Sequence, residues 1–181
     1  ERDPAAARGA VLTGHTLSQG TLHNAERKSY EALEDFEMDL VTALTLAVVA
    51  GFDETGLRVV GKLMWLHVCC TEKRACYFLH EKRGDEAMNA FGILPDFQGR
   101  AIHDYWKSYY LYHCLHGLCN AHILRELVFV NERFGQSWAA DLIAHLLRIK
   151  EAVEQAKKQG LDSLGTRQLA DFEKTYRQIV K

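Results

Sequence analysis

Two aspartates close apolar, strand-like runs of this sequence and could bind divalent cations. Asp53 closes VVAGFDE, and Asp104 closes GRAIHDY. A carboxylate at the rim of a sheet stays near water, and carboxylate oxygens are ligands that Mg²⁺ and Mn²⁺ prefer. Two such ions about 3.5–4 Å apart activate a nucleophile and stabilise a leaving oxygen in phosphoryl transfer. The alternative is structural, because each aspartate could be a cap or turn residue.

We expect Asp53 and Asp104 to lie on adjacent strands, with their carboxylates within bridging distance of shared metal ions. Glu54 points to the opposite face if the strand continues, so it is a residue beside the site or simple surface. The segment Glu54-Thr55-Gly56 would suit a turn that ends the strand. Trp106 and Tyr109 could stack on a base, but packing of a helix on the sheet explains them better.

Cys119 and His122 have the spacing of metal ligands, but one Cys-x-x-His pair is only half of a zinc site. No second pair follows at suitable spacing, so we expect no zinc. Arg125 and Glu126 lie one helical turn beyond His122. They could face the rim of the sheet, or they could belong to a solvated helix start.

Basic residues concentrate in the loops of the region with strand-like patterns. Neutralisation of phosphates by such residues drives affinity for DNA, although a solvated loop is an equal alternative. The formal net charge of −2 excludes a strongly basic nucleic-acid coat protein but not an enzyme with a local basic patch. The DNA-binding candidates are Lys82, Arg83, Arg100, Lys107 and Arg125.

The order of the predicted elements indicates the fold. Residues 25–47 have apolar positions at helical spacing, with Thr21 or Asn24 as the cap. Three consecutive strands, a helix, a strand, a short helix and a fifth strand follow, and the chain is then helical to its end. This order predicts an α/β fold with a mixed, ribonuclease H-like sheet flanked by helices. The predicted divisions are a lead-in with its helix (1–47), a partial catalytic core (48–122) and a helical insertion (123–181).

Composition narrows the class of protein. The chain has 181 residues, of which 48% are hydrophobic and 25% charged, as in an ordinary globular domain. No apolar run approaches the roughly 20 residues that span a bilayer, and the first ten residues lack the apolar stretch of a signal peptide. Five cysteines without paired spacing favour the reduced thiols of the cytoplasm. Because the sequence lacks an initiator methionine, we expect it to be part of a longer chain.

Several motifs together resemble the transposases of the insertion-sequence 66 family. These motifs are FDETGLRVVGKLMWLHV, HEKRG, GILPDFQGRAIHDYWKSY and LCNAHILREL, and they occur in the order of the family. Each alone is weak, whereas the ordered set is specific. The resemblance extends from about Leu17 to the C-terminus.

The resemblance implies a DDE-type transposase with a ribonuclease H-like core and two Mg²⁺ or Mn²⁺ ions. Asp53 matches the first catalytic acid and Asp104 the second, and both would bind metal. The third acid is expected beyond the helical insertion, in an Asn-x-x-Glu-Arg motif that does not occur after residue 123. Glu126 is the remaining candidate, because it is the acid within a family-like segment after Asp104.

The implied partners are transposon-end DNA, target DNA, further copies of the chain on DNA and accessory proteins of the same element, with no membrane. We expect residues 1–181 alone to be an excised or truncated fragment that does not cleave DNA. Two alternatives stay open. The chain could be a remnant that binds DNA or partner subunits without cutting, or a ribonuclease H-like nuclease without strand transfer.

Overall fold

Alternating buried and exposed residues between positions 49 and 80 form three antiparallel strands. The computed structural model describes Gly14 and residues 17–181. The strands are β1 (Val49–Val59), β2 (Lys62–Cys70) and β3 (Ala75–His80). Asp53 pairs with Val68 in the register of β1 and β2. These pairings confirm the predicted meander of three strands.

β1 is longer than the sequence predicted, and Asp53 lies in its middle rather than at its end. Gly56 pairs with Trp65 in β2, so the strand continues through the segment that seemed suited to a turn. The chain reverses at Val60 and Gly61, whose φ angles are 49° and 80°, next to the Gly61-Lys62 pair at which the sequence predicts a hairpin turn. Two consecutive residues with positive φ match the right-handed twist of a hairpin, which explains why the chain reverses there.

The remaining strands complete a sheet with the order β3-β2-β1-β4-β5. β4 is Arg100–His103 and β5 is Leu115–Leu118. The amide of Leu115 donates to the carbonyl oxygen of Gly99, and the amide of Cys119 donates to that of His103. Both partners advance by the same step, so β4 and β5 are parallel and the sheet is mixed. The predicted α/β fold is therefore confirmed, and the order is consistent with a ribonuclease H-like domain.

The N-terminal helical region differs from its prediction. Two helices replace the single predicted one: α1 (Gln19–Ala32) and α2 (Glu34–Thr45). Ser18 caps α1, because its side chain accepts a hydrogen bond from the Thr21 amide at 3.1 Å. The predicted caps, Thr21 and Asn24, are therefore wrong.

The break between these helices falls at Leu33, with φ −99° and ψ 0°. Three acidic residues follow in the first turn of α2 (Glu34, Asp35 and Glu37). Negative charge stabilises a helix N-terminus, so this sequence favours the start of a new helix over continuation of the old one.

The other helices follow their predicted order. α3 (Asp85–Phe91) lies between β3 and β4, and two short 3₁₀-helices occupy Leu94–Asp96 and Lys107–Leu111. After β5 come α4 (Asn120–Phe134), α5 (Ser137–Lys158) and α6 (Thr166–Ile179). Gly135 and Gly160 adopt the left-handed conformation that ends α4 and α5. Within the part of the chain that the structure describes, no helix is long and apolar enough to cross a membrane.

The chain divides into two compact units. The first contains residues up to Ala101 together with Lys107–His116, and the second contains Ile102–Trp106 and Gly117–Lys181. The core of the first unit includes Phe52 and Phe97, whose rings meet edge to face at 5.4 Å. The predicted divisions at residues 47 and 122 stay a prediction.

The second unit has its own small core. The buried residues Leu127, Ala139 and Leu142 form its centre between α4 and α5. His145 on α5 is buried, and its Nε2 donates to the carbonyl oxygen of Phe172 on α6 at 3.0 Å. This hydrogen bond satisfies the buried imidazole and ties the two helices together.

Gly99 permits a close approach of backbone immediately before β4. A Cβ atom at this position would lie 2.3 Å from the carbonyl oxygen of Ala47 and 2.7 Å from that of Val48. The amide of Arg100 donates to the same Val48 oxygen at 2.9 Å, so the approach belongs to the contact of β4 with the start of β1. Only glycine fits here without displacement of the backbone.

We therefore predict that Gly99→Ala lowers the free energy of unfolding by about 3 kcal/mol, the upper part of the range for overpacking. Urea denaturation measures the change. Gly20→Ala is the control, because that position lies in α1 with only the Ser18 hydroxyl oxygen at 3.9 Å. A Gly99→Ala protein as stable as the Gly20→Ala protein would contradict the close approach.

At Val60, in the hairpin turn, we expect a substitution to raise the stability of the protein. Val60 is a fully exposed β-branched residue with positive φ, a conformation that costs an L-residue about 1–2 kcal/mol. Asparagine tolerates this conformation well, so we expect Val60→Asn to raise the free energy of unfolding by about 1 kcal/mol. Val59→Asn, at the end of β1, should give no gain, because asparagine is a poor strand residue. Thermal denaturation of both variants tests the difference.

Candidate active site

Asp53 presents its carboxylate on the exposed face of β1, between two buried neighbours. Phe52 and Glu54 point to the other face, as the alternation of a strand requires. Oδ1 of Asp53 accepts a hydrogen bond from the Glu54 amide at 2.9 Å, which orients the carboxylate. A shallow depression next to it is lined by Asp53, Glu54, Thr55, Leu66, Val68 and Tyr77. The carboxylate is thus accessible to a cation from solvent.

Asp104 directly follows β4 and is half-buried. Its Oδ1 accepts a hydrogen bond from the Trp106 amide at 2.9 Å, and Nδ1 of His103 donates to its backbone oxygen. A carboxylate that bonds the backbone two residues ahead forms a local turn, which fixes the direction of the side chain. Asp104 is therefore held by its own loop, next to the strand end where the sequence placed it.

Glu126 lies on the second turn of α4 and is exposed. The hydroxyl of Tyr105, the residue after Asp104, donates a hydrogen bond to Oε1 of Glu126. The structure thus connects Glu126 to the chain at Asp104, a contact that the sequence did not predict. In the sequence, the position of Tyr105 directly after Asp104 was the signal for a polar contact at this place. The spacing of residues could not show that its partner is Glu126 on α4.

The Tyr105–Glu126 contact raises the pKa of the Tyr105 phenol above its ordinary value. The hydrogen bond to Glu126 is the main cause, followed by desolvation and by the negative charges of Glu126 and Asp104. A phenolate next to these carboxylates is disfavoured. Tyr105 therefore remains a hydrogen-bond donor throughout the neutral pH range.

Glu54 is buried, contrary to the alternative that placed it at the surface. Oε1 accepts a hydrogen bond from Nε of Arg83 at 2.7 Å, and Oε2 accepts one from the Tyr109 hydroxyl. The Arg83 guanidinium also lies over the Trp65 ring, 5.1 Å from its centroid. The sequence did not predict this cluster. Glu54 is nevertheless on the same face of β1 as the buried residues Ala50 and Phe52, because it follows them at alternate positions.

The basic candidates differ in their surroundings. Arg83 is half-buried and bonded to Glu54, so its charge already has an internal partner. Arg100 donates from Nη1 to the backbone oxygen of His116 at 3.2 Å and is exposed. The other three candidates are exposed as well: Lys82, Lys107 and Arg125. Their role in DNA binding stays a prediction.

The accessible carboxylates suit a hard cation, since oxygen donors near solvent are what Mg²⁺ and Mn²⁺ prefer. Among the described residues, no group of three or more histidine, cysteine, aspartate or glutamate side chains could hold a metal ion. Cys119 is the N-cap residue of α4. The shared site of Asp53 and Asp104, and the expected absence of zinc, stay predictions.

A comparison with protein-family models decides the family. The model of the IS66 family of transposases matches residues 6–180. The chain belongs to the IS66 transposase family. A search of curated proteins finds no significant match.

Membership of the IS66 transposase family confirms the resemblance in the motifs around Asp53 and Asp104. Membership of a transposase family implies that the chain binds DNA. Members of DDE families generally use divalent metals, which agrees with the type of donor at both positions.

The Tyr105 phenol provides a test of the geometry at Glu126. We expect Glu126→Gln to lower the pKa of Tyr105 back toward its ordinary value, since the amide retains the size of the side chain but removes its charge. The ¹³Cζ resonance of Tyr105, followed by NMR from pH 7 to about pH 12, measures the change, because the ordinary phenol pKa of about 10 lies within this range. Glu132→Gln on the same helix is the control. Equal Tyr105 pKa values in wild type and Glu126→Gln would contradict the contact.

Proposed function

We propose that this chain supplies the catalytic core of a DDE transposase, which cuts and joins transposon-end DNA by metal-dependent phosphoryl transfer. The observation that carries the proposal is the exposed carboxylate of Asp53 in the middle of β1, whose orientation is fixed by the Glu54 amide. Asp53 is on the exposed face of β1, the central strand, and Asp104 follows β4, which is next to β1 in the sheet. The membership of the chain in the IS66 family supports this assignment.

Asp53 and Asp104 would hold Mg²⁺ or Mn²⁺. When bound, two such ions activate a nucleophile and stabilise the leaving oxygen of an in-line displacement. The contribution of the protein is orientation, because each carboxylate has one oxygen fixed by a backbone amide at 2.9 Å. Side chains fixed before substrate binding lose little entropy in the reaction.

Glu126 is the proposed third acid. Its support is the hydrogen bond to Tyr105, which connects the carboxylate with the residue after Asp104 in the same compact unit. A third carboxylate would add negative charge for two divalent cations, but Glu126 would first have to approach the other acids, because the described residues include no group of three such side chains placed to hold a metal ion. Exposed Lys82, Arg100, Lys107 and Arg125 are proposed to contact the phosphates of DNA.

In the proposed reaction, water attacks a phosphate at the transposon end, and the freed 3′-hydroxyl then attacks target DNA. Both steps are displacements at phosphorus, and neither forms a covalent bond between protein and DNA. Because two DNA ends must be joined to one target, self-association on DNA is part of the proposal, as are accessory proteins of the same element and a cytoplasmic location.

A second candidate function is the binding of DNA or partner subunits without catalysis. The observation in its favour is that the described residues include no cluster of three metal-ligating side chains. In that case Asp53 and Asp104 would be surface acids without a reaction, and their substitution would not alter the properties of the DNA complex.

The proposal predicts the effect of each acid on strand cleavage. With the transposase expressed from its complete reading frame, Asp53→Ala and Asp104→Ala should each lower cleavage of transposon-end DNA in Mg²⁺ or Mn²⁺ by about a thousandfold or more. Asp162→Ala is the matched control, because that aspartate is exposed in the connection between α5 and α6.

The same gel assay assigns the third acid. Loss of cleavage in Glu126→Ala, with binding of DNA retained, supports Glu126, whereas wild-type cleavage shows that another acid completes the site. If Asp53→Ala and Asp104→Ala cleave as well as Asp162→Ala does, the metal-dependent mechanism at these residues is wrong.

A further inference from the structure

Glu54 is an unusual residue for the interior of a sheet. Its side chain is only 1% exposed, whereas its neighbour Asp53 lies on the accessible face of the same strand. The burial of a carboxylate is costly unless hydrogen bonds and an opposite charge compensate it. Arg83 supplies the charge and Tyr109 supplies a hydroxyl donor, so both oxygens of Glu54 have partners.

Stability alone does not require this arrangement. Apolar residues of similar volume often replace a buried ion pair without loss of stability, whereas removal of one partner alone is strongly destabilising. A buried carboxylate instead imposes geometry, because its partners must lie at hydrogen-bonding distance and in fixed directions. The Glu54 contacts therefore constrain the positions of the segments that carry Arg83 and Tyr109.

The partners of Glu54 come from two distant parts of the chain. Arg83 belongs to the loop between β3 and α3, and Tyr109 belongs to the 3₁₀-helix Lys107–Leu111. Tyr109 follows Asp104 by a few residues, and its ring is buried. Glu54 thus ties the strand that carries Asp53 to the 3₁₀-helix Lys107–Leu111.

Two further contacts hold the Arg83 loop against β2. Nε2 of His67, which is opposite Glu54 in the register, donates to the backbone oxygen of Lys82 at 3.2 Å. The Trp65 ring lies under the Arg83 guanidinium, and both interactions are on the inner face of the sheet. The Glu54 cluster, made of Glu54, Arg83, Tyr109, Trp65 and His67, is therefore fixed from several sides.

We propose that Glu54 is a positioning residue of the transposase site, where its carboxylate fixes the roll of β1 behind Asp53. Because adjacent residues of a strand point to opposite faces, a rotation of Glu54 also rotates Asp53. This inference rests on the proposed function, since it assigns the rigidity of the cluster to the orientation of Asp53 as a metal-binding acid.

The test uses Mn²⁺ binding, measured by the loss of the free-ion EPR signal, with the transposase expressed from its complete reading frame. The Mn²⁺ ions that bind to wild type but not to Asp53→Ala are taken to occupy the proposed site. Tyr109→Phe removes only the hydroxyl, and Glu54→Gln removes only the charge. Each should weaken this Mn²⁺ site about tenfold, the lower part of the range for residues that orient metal ligands.

Cleavage kinetics give a readout that a purely structural role would not change. Both variants should lower kcat about tenfold and leave the KM for DNA unchanged, at a temperature where circular dichroism shows them folded. Tyr110→Phe, in the same 3₁₀-helix but 51% exposed, is the control and should stay within about twofold of wild type.

The outcomes separate the two proposals. If wild type shows an Asp53-dependent Mn²⁺ site and folded Tyr109→Phe and Glu54→Gln bind Mn²⁺ equally well, Glu54 is structural only and the positioning role is wrong. If wild type itself shows no Mn²⁺ binding that depends on Asp53, the proposed function is wrong and the positioning role is rejected with it.

Discussion

Successive side chains of a β-strand point to opposite faces, and in β1 this constraint gives Asp53 and Glu54 opposite surroundings. Asp53 is exposed to solvent, where a carboxylate can meet a cation without a burial cost. Glu54 is inside, where its charge must be compensated by Arg83 and Tyr109. Two adjacent acids of the same charge thus have different surroundings, and the packing of β1 on its inner face decides which of them is buried.

The second constraint is the distance between backbones where β4 begins. Gly99 lies so close to the carbonyl oxygens of Ala47 and Val48 that no side chain fits. The close approach lets Arg100 bond to Val48 and sets the start of β4 beside β1. The placement of the start of β4 thus depends on a residue without any functional group.

Local patterns predicted the order and class of the elements well, because alternation, glycine positions and acidic first turns are properties of short segments. They placed Asp53 at a strand end, since Glu54-Thr55-Gly56 has the composition of a turn. Only the pairing of Gly56 with Trp65 shows that the strand continues. The partners of Glu54 were beyond prediction for a similar reason: Arg83 and Tyr109 are distant in sequence, and no spacing rule links them.

Glu126 differs physically from the other two acids. Asp53 and Asp104 are oriented by amides of their own segments, and those bonds need not break when a cation arrives. Glu126 instead shares an oxygen with the Tyr105 phenol on an exposed surface. A cation that takes this oxygen must compete with the hydroxyl, whose raised pKa keeps its proton in place. A cation bound through Glu126, as proposed, would therefore have to displace the Tyr105 hydroxyl.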